Sequence, residues 1–421
     1  MNIAMDRIYL DYAATTPVDE RVVEVMLPYF NHQFGNPSSV HFFGQEAEAA
    51  LEGARATMAR WMDVLDDEII FTGCGTESDN LALRGIALAR KLQFAADRIL
   101  ISPVEHHAVS HTAKQLADHF GFQLEFLKVD AFGMVDPDDL RKRLNQDVAI
   151  VSVIYGNNEI GSINPVEELG KICRSYEVPF HVDAVQAAAH LPMKGIGAWC
   201  DAASLGAHKF YGPKGVGALY IRKGIPIIAV QTGGGQENGM RSGTQNVPYI
   251  VGMAKAFELV QSELENTQAS LSQFRDTIIT SVLNRIENTY LTGHPSIRLA
   301  NHASFVFEGI DGNQLLILLD TAGFACSSGS ACKTGNPQPS EVLLALGISP
   351  QLALGSLRVT VGKYTTQDDV EKFVNTLPQL IDRIRNLSVG MGRRERKRCS
   401  GSWDGLCAGW RGSGQPTPAV T

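Results

Sequence analysis

Apolar positions along this chain fall into short buried runs separated by glycine-bearing turns, with longer stretches of helical period between them. Residues 45–62 carry Ala, Leu and Met at helical spacing and predict an amphipathic helix. Ile-Ile-Phe-Thr at 69–72 reads as a short buried strand, followed by a glycine turn and a helical stretch over 81–90. The alternation then repeats, with strands at 98–102, 149–155, 178–186 and 216–221. The run at 149–155 is largely apolar, as strands covered on both faces of a parallel sheet are. Apolar residues at helical spacing predict one long helix over 249–273, with a domain boundary inside it. Beyond it, strands at 303–307 and 356–361 and a helix at 312–320 describe a smaller α+β unit. The lead-in at 8–17 starts extended and ends in small residues before Pro17, at the edge of a site.

The chain has 421 residues, 44% hydrophobic and 19% charged, enough for two domains with a sizeable core. A net charge of -8 argues against a nucleic-acid surface, which needs a basic face. No window approaches the length of a membrane span, and the start lacks the apolar core of a secretory signal. The seven cysteines are an odd, scattered set without Cys-x-x-Cys pairs, which reads as free thiols in a reducing, cytoplasmic compartment and against a metal site. The last stretch, 390–421, turns basic and then rich in Gly, Ser and Pro, a composition that predicts disorder.

Candidate chemistry gathers at the predicted strand ends. In open α/β sheets ligands bind outside the carboxyl ends of the strands, so Thr76, His106, Asn158 and Asp183 should meet in one crevice. Gly73 to Asn80 forms a strand, glycine turn and helix start, a ready anion site, and the missing Gly-Lys-Ser/Thr ending argues against a nucleotide P-loop. Each residue also has a plainer reading: Asp183 as a helix cap, His106 as a capped surface turn, Arg358 as a surface ion pair. Lys209, set among small and aromatic residues before Gly212 and Pro213, has the surroundings that desolvate an amine and suit it to a Schiff base. The glycine-rich 233–244 offers backbone donors for a phosphate, with a flexible linker as the alternative. Cys332 lies in a small, polar loop beside Lys333, which favours the thiolate.

Six motifs occur together: Thr-Glu-Ser-Asp-Asn at 76–80, Asn-Asn-Glu-Ile-Gly at 157–161, His-Val-Asp-Ala-Val-Gln at 181–186, His-Lys-Phe-Tyr-Gly-Pro-Lys-Gly at 208–215, Met-Arg-Ser-Gly-Thr at 240–244 and Ser-Ser-Gly-Ser-Ala-Cys at 327–332. In this order they resemble the cysteine desulfurases, pyridoxal-phosphate (PLP) enzymes of the class-V aminotransferase group, from about residue 9 to 366. The resemblance implies a fold-type-I α/β enzyme. Its large domain, 15–262, would hold a mostly parallel seven-stranded sheet flanked by helices. A smaller α+β domain, 1–14 with 263–389, would carry the cysteine loop 325–340.

It further implies that Lys209 carries the PLP and moves the substrate proton, that Asp183 pairs with the ring nitrogen, and that His106 stacks on the ring and serves in proton transfer. Asn158 and Gln186 would bond the ring oxygen, while Gly75, Thr76 and His208 take the phosphate. Thr244 would reach the phosphate of a second subunit, making a homodimer. Arg358 and Asn36 would hold the carboxylate of L-cysteine. Cys332 would accept its sulfur as a persulfide, leave L-alanine, and pass the sulfur to an acceptor such as an iron–sulfur scaffold. Gly206 departs from the pattern, because a phosphate-binding serine is common there and only a backbone donor remains. Gln236 and Asn238 resemble the subgroup linked with nitrogenase maturation, and Cys74 reads as a small buried thiol. A selenocysteine lyase, another class-V aminotransferase and a non-catalytic sulfur-relay protein are the competing readings.

Overall fold

The computed structural model describes residues 7–329 and 338–399. Its strands are β1 (Ile8–Tyr9), β2 (Ile69–Thr72), β3 (Arg98–Ile101), β4 (Gln123–Phe126), β5 (Val148–Ile154), β6 (Phe180–Asp183), β7 (Ala202–Gly206), β8 (Gly217–Ile221), β9 (Thr289–Leu291), β10 (His302–Phe307), β11 (Phe324–Ala325) and β12 (Ser356–Thr360). A 7-stranded sheet has the order β2-β8-β7-β6-β5-β3-β4. Neighbours from β4 through β7 are parallel, and β8 runs antiparallel to both β7 and β2. With β8 alone reversed, the carboxyl ends of β2, β3, β5, β6 and β7 open on one edge.

The sequence explains this arrangement. Every residue of β5 is buried, as a run of Val and Ile covered on both faces requires. One apolar cluster, with Met58, Phe180, Phe210 and Phe257, covers one side of the sheet, and a second, with Leu83, Ile86, Ile101 and Leu219, covers the other. The expected helix at 45–62 is Phe42–Met62, started by the His41 ring accepting from Gly44 N at 3.3 Å and ended by Asp63 in the left-handed region. The stretch at 81–90 lies within Gly75–Phe94, which begins directly at the glycine turn. The strand expected at 178–186 stops at Asp183, whose carboxylate accepts from Val185 N at 3.0 Å and turns the chain.

The single helix expected over 249–273 is two, Val247–Ser262 and Leu264–Arg285, separated at Glu263. Glu263 receives the Arg21 guanidinium at 2.7 Å, and the apolar partners change there: Met253 and Phe257 pack against the large sheet, whereas Leu271 and Ile278 join a separate cluster. That cluster includes Leu10, Phe305, Leu357 and Phe373, and fills the space between the 3-stranded antiparallel sheet β12-β10-β9 and its helices. Leu10 follows β1, which pairs with β11. Against the disorder expected from 390, the backbone stays helical in Gln367–Cys399. Val370, Phe373, Leu377 and Ile381 give this helix a buried apolar stripe, and the Arg, Lys and Glu that follow are good helix formers. The remainder of that segment, 400–421, lies outside the described residues.

Candidate active site

The carboxyl edge of the large sheet holds a cavity of about 250 Å³, lined among others by Gly75, Thr76, His106, Asn158, Asp183 and Lys209. Gln186, His208 and Arg358 also face it. Lys209 ends the short turn Ala207–Lys209 after β7, and its Nζ donates to the carbonyls of Ala13 at 2.7 Å and Ala14 at 2.8 Å. Burial, then the nearby Arg358 cation, lowers its pKa from 10.5 to about 8. An amine so placed has a usable neutral fraction at neutral pH, whereas a solvated lysine does not.

Asp183 closes β6, and burial pushes its carboxyl above the ordinary range while His106 and Lys209 oppose the shift. His106 sits before the helix His107–Phe120, where its Nδ1 accepts from Ala108 N at 3.1 Å. The neutral ring therefore carries its proton on Nε2, and burial lowers its pKa. The Gln186 amide is fixed by donation to Ala13 O at 2.6 Å. His208 Nδ1 lies 3.2 Å from Thr15 Oγ1, and burial pushes this ring down to about 4, so it is neutral.

An anion fits the other end. Gly75 and Thr76 open the 20-residue helix Gly75–Phe94, whose first amide groups have no partners within the helix. A Cβ at Gly75 would come within 2.7 Å of Val185 Cγ2, so the close approach of this turn to β6 uses the missing side chain. The cavity thus offers an anion cradle, a reactive amine, a buried carboxyl and a flat ring, which is the donor set that PLP needs.

Arg358, on β12, enters from the smaller unit. Its guanidinium donates to Asp11 Oδ1 at 2.9 Å and to Asn158 O at 3.0 Å, and Asp11 Oδ2 accepts from Ser327 Oγ at 2.7 Å. Its Nε is buried with no partner among the described residues. Other expected residues lie elsewhere. Asn36 is exposed, and its Oδ1 accepts from Ser38 N at 3.0 Å within its own turn, so it is not brought to the cavity. Thr244 is exposed and does not line the cavity of its own chain. Gly206 ends β7 beside Gly75 without lining the cavity, and Cys332 lies outside the described residues.

The glycine-rich segment is tied down rather than loose. Glu237 accepts from Arg55 Nη1 at 2.8 Å and from Phe71 N at 2.9 Å, and Arg241 Nε reaches Glu77 Oε1 at 2.8 Å. Sequence reasoning passed over Asp11, Asp79 and Glu105. Asp79 had a visible signal: it stands three and seven positions before Ala82 and Ile86 on the buried stripe of its helix, where a carboxylate needs a reason.

A family model described as Aminotransferase class-V matches residues 8–373. A protein named Cysteine desulfurase IscS from Dictyoglomus turgidum is 46% identical over 381 residues, 90% of this chain and 96% of that protein. A namesake from Methanosarcina thermophila is 44% identical, over 90% of this chain and 93% of its own length. A solved structure titled NIFS-LIKE PROTEIN superposes with a TM-score of 0.83 at 37% identity, covering 89% of this chain and 99% of that one. Another, SspA in complex with cysteine, gives a TM-score of 0.74 at 30% identity, covering 85% and 99%. By match, relatives and fold, the chain belongs to the aminotransferase class-V family, among its cysteine desulfurases.

Proposed function

We propose that this chain uses PLP to convert L-cysteine to L-alanine and takes the sulfur onto Cys332, and that the cavity around Lys209 is where it does so. The observation that carries the reading is the convergence of the Lys209 amine, the Asp183 carboxyl and the His106 ring on one cavity beside a helix start. PLP, when bound, supplies an electron sink for the carbon next to the substrate nitrogen. The residues do the rest. Gly75, Thr76 and His208 hold the phosphate, Asp183 holds the ring nitrogen, and Asn158 and Gln186 face the ring oxygen. His106 would stack on the ring and serve in proton transfer through Nε2. Lys209 takes and returns the substrate proton, a task suited to an amine with a pKa near 8. Arg358 receives the substrate carboxylate through its unpartnered Nε and by exchange with Asp11.

The pair of chains is a homodimer in this reading. Phe34, Phe42 and Phe43 pack into an exposed apolar patch fit for a second copy, and Thr244, outside its own cavity, is free to reach the neighbouring one. The separate apolar clusters support units of 15–262 and of 1–14 with 263–389. Among the described residues no helix is long and apolar enough to cross a membrane. Cys74, Cys173, Cys200 and Cys326 are all unpaired, which supports a reducing, cytoplasmic setting, with an iron–sulfur scaffold as sulfur acceptor.

The test is to load the purified protein with PLP, add L-cysteine and a thiol reductant, and measure alanine and sulfide. Stoichiometric alanine and sulfide are expected, with both nearly abolished in Cys332→Ala and the protein-bound visible band lost in Lys209→Ala. Alanine release undiminished in Cys332→Ala would remove the sulfur-transfer reading, and transamination of cysteine-free amino acids at a comparable rate would favour an aminotransferase. Sedimentation equilibrium at the dimer mass checks the subunit arrangement.

A further inference from the structure

Behind the Asp183 carboxyl stands a second one. Asp79 is 1% exposed and lines the cavity, and its Oδ1 has no hydrogen-bond partner among the described residues. Ligand atoms of Asp79, Asp183 and His106 all lie within 4.8 Å of one another. The nearest base to Asp79 Oδ1 is His181 Nε2 at 3.7 Å, but that ring is fully buried and neutral, its pKa pushed down to about 3. Glu105 is the third carboxyl here; its Oε1 accepts from Ile154 N at 2.6 Å. The groups that could carry positive charge toward the three carboxyls are His106 and Lys209, and both act on Asp183. Two carboxylates this close in a water-poor site do not both ionise, so Asp79 holds the proton. Burial, then the Asp183 charge, pushes its carboxyl well above the ordinary range, which agrees with that assignment.

Behind Asp79, His181 Nε2 lies 3.7 Å from Asp79 Oδ1 and 3.0 Å from Ser204 Oγ. On the far side of the ring, Nδ1 lies 2.9 Å from Ser152 Oγ, so both ring nitrogens are held by hydroxyls.

We propose that Asp79 is a positioning residue: a neutral carboxyl backed by the Ser152–His181–Ser204 hydrogen-bond chain, which stabilises the Asp183 carboxylate and so keeps a proton on the ring nitrogen of the cofactor. An O–H at this depth acts more strongly than it would in water, and the packed chain behind it keeps water out. No atom is transferred. The proton on the ring nitrogen is shared with Asp183, and the more stable the Asp183 anion, the more fully the ring keeps it.

The inference rests on the PLP reading above, and nitrogen NMR of the loaded protein, with PLP labelled at the ring nitrogen, separates the two. Asp79→Asn keeps a neutral donor and is expected to leave the pH midpoint of ring-nitrogen protonation at the wild-type value. Asp79→Leu removes the donor and is expected to lower that midpoint by about one pH unit, a tenfold loss of proton affinity. Ser204→Ala, a small change that serves if the leucine variant does not fold, should shift it the same way by less. Wild-type midpoints in both Asp79→Leu and Ser204→Ala overturn the proposal, as does Asp79→Asn shifting as far as Asp79→Leu. Absence of any bound-ring resonance in the wild type would instead overturn the cofactor reading.

Discussion

At the scale of single residues, Lys209 and Gly206 set how the cavity handles its cofactor. The Lys209 amine binds its proton less tightly than the 10.5 of an unfolded lysine, at about 8. Between those values the unfolded chain carries more protons than the folded one, so this group raises stability as pH increases through that window. Its reactivity has the same sign: the rate of PLP capture by the apoprotein should climb as pH rises through 8 and then level off, which stopped-flow absorbance would follow. At Gly206, a built Cβ would meet Val185 Cγ1 at 3.4 Å and Gly75 N at 3.5 Å, ordinary contact distances. Gly206→Ser therefore fits, and its hydroxyl adds a donor at the helix start proposed to hold phosphate. One such bond contributes about 1 kcal/mol, so a several-fold tighter PLP dissociation constant is expected in a fluorescence titration. Unchanged affinity would mean that the helix amides already satisfy the phosphate.

Elements bring these residues together, and here local strength decides what holds. The Arg55–Glu237 pair is an example: both side chains are nearly inaccessible, at 7% and 1%, and Glu237 also receives the amide of Phe71 on β2. Glu237→Ala would leave the buried end of the guanidinium with only Ile69 O and the half-exposed Glu52 as partners and should cost about 3 kcal/mol in urea denaturation, whereas Glu237→Gln should cost less. Equal losses would point to backbone disruption rather than to the stranded charge. The strands could be read from the sequence because their Val and Ile runs are continuous, and the glycine turns marked where they release the chain. The cavity residues after β2, β3, β5 and β6 were legible for the same reason, since the open edge of a parallel sheet follows from strand direction, whereas Lys209 after β7 stood out only by its small and aromatic neighbours. Asn36 was not, because its side chain satisfies its own turn, and neither the spacing nor the residue type reveals that. Asp79 and Asp11 escaped because a carboxylate inside a helical stripe or an extended lead-in looks like solvent-facing charge until its neighbours are known. The break at Glu263 was hidden too: apolar spacing continues across it while the packing partner changes.

For the molecule as a whole, the lead-in decides how the two units share one site. Leu10 is buried in the smaller apolar cluster, Asp11 holds Arg358, and the carbonyls of Ala13 and Ala14 hold Lys209. Inserting two glycines between Asp11 and Tyr12 should leave PLP bound to Lys209 but lower cysteine turnover at least about tenfold, since misplacing a binding group by a small distance costs that much. Retained turnover would show that Arg358 finds its place without Asp11. The amine proposed to meet the amino end of a substrate and the guanidinium proposed to meet its acid end are thus held by one tight turn, Asp11 to Ala14, closed by Ala14 N donating to Asp11 O at 2.9 Å. That turn works as a gauge for backbone length, and it should make the enzyme reject amino acids whose amine and carboxylate are separated by one carbon more than in cysteine, whatever sulfur they carry.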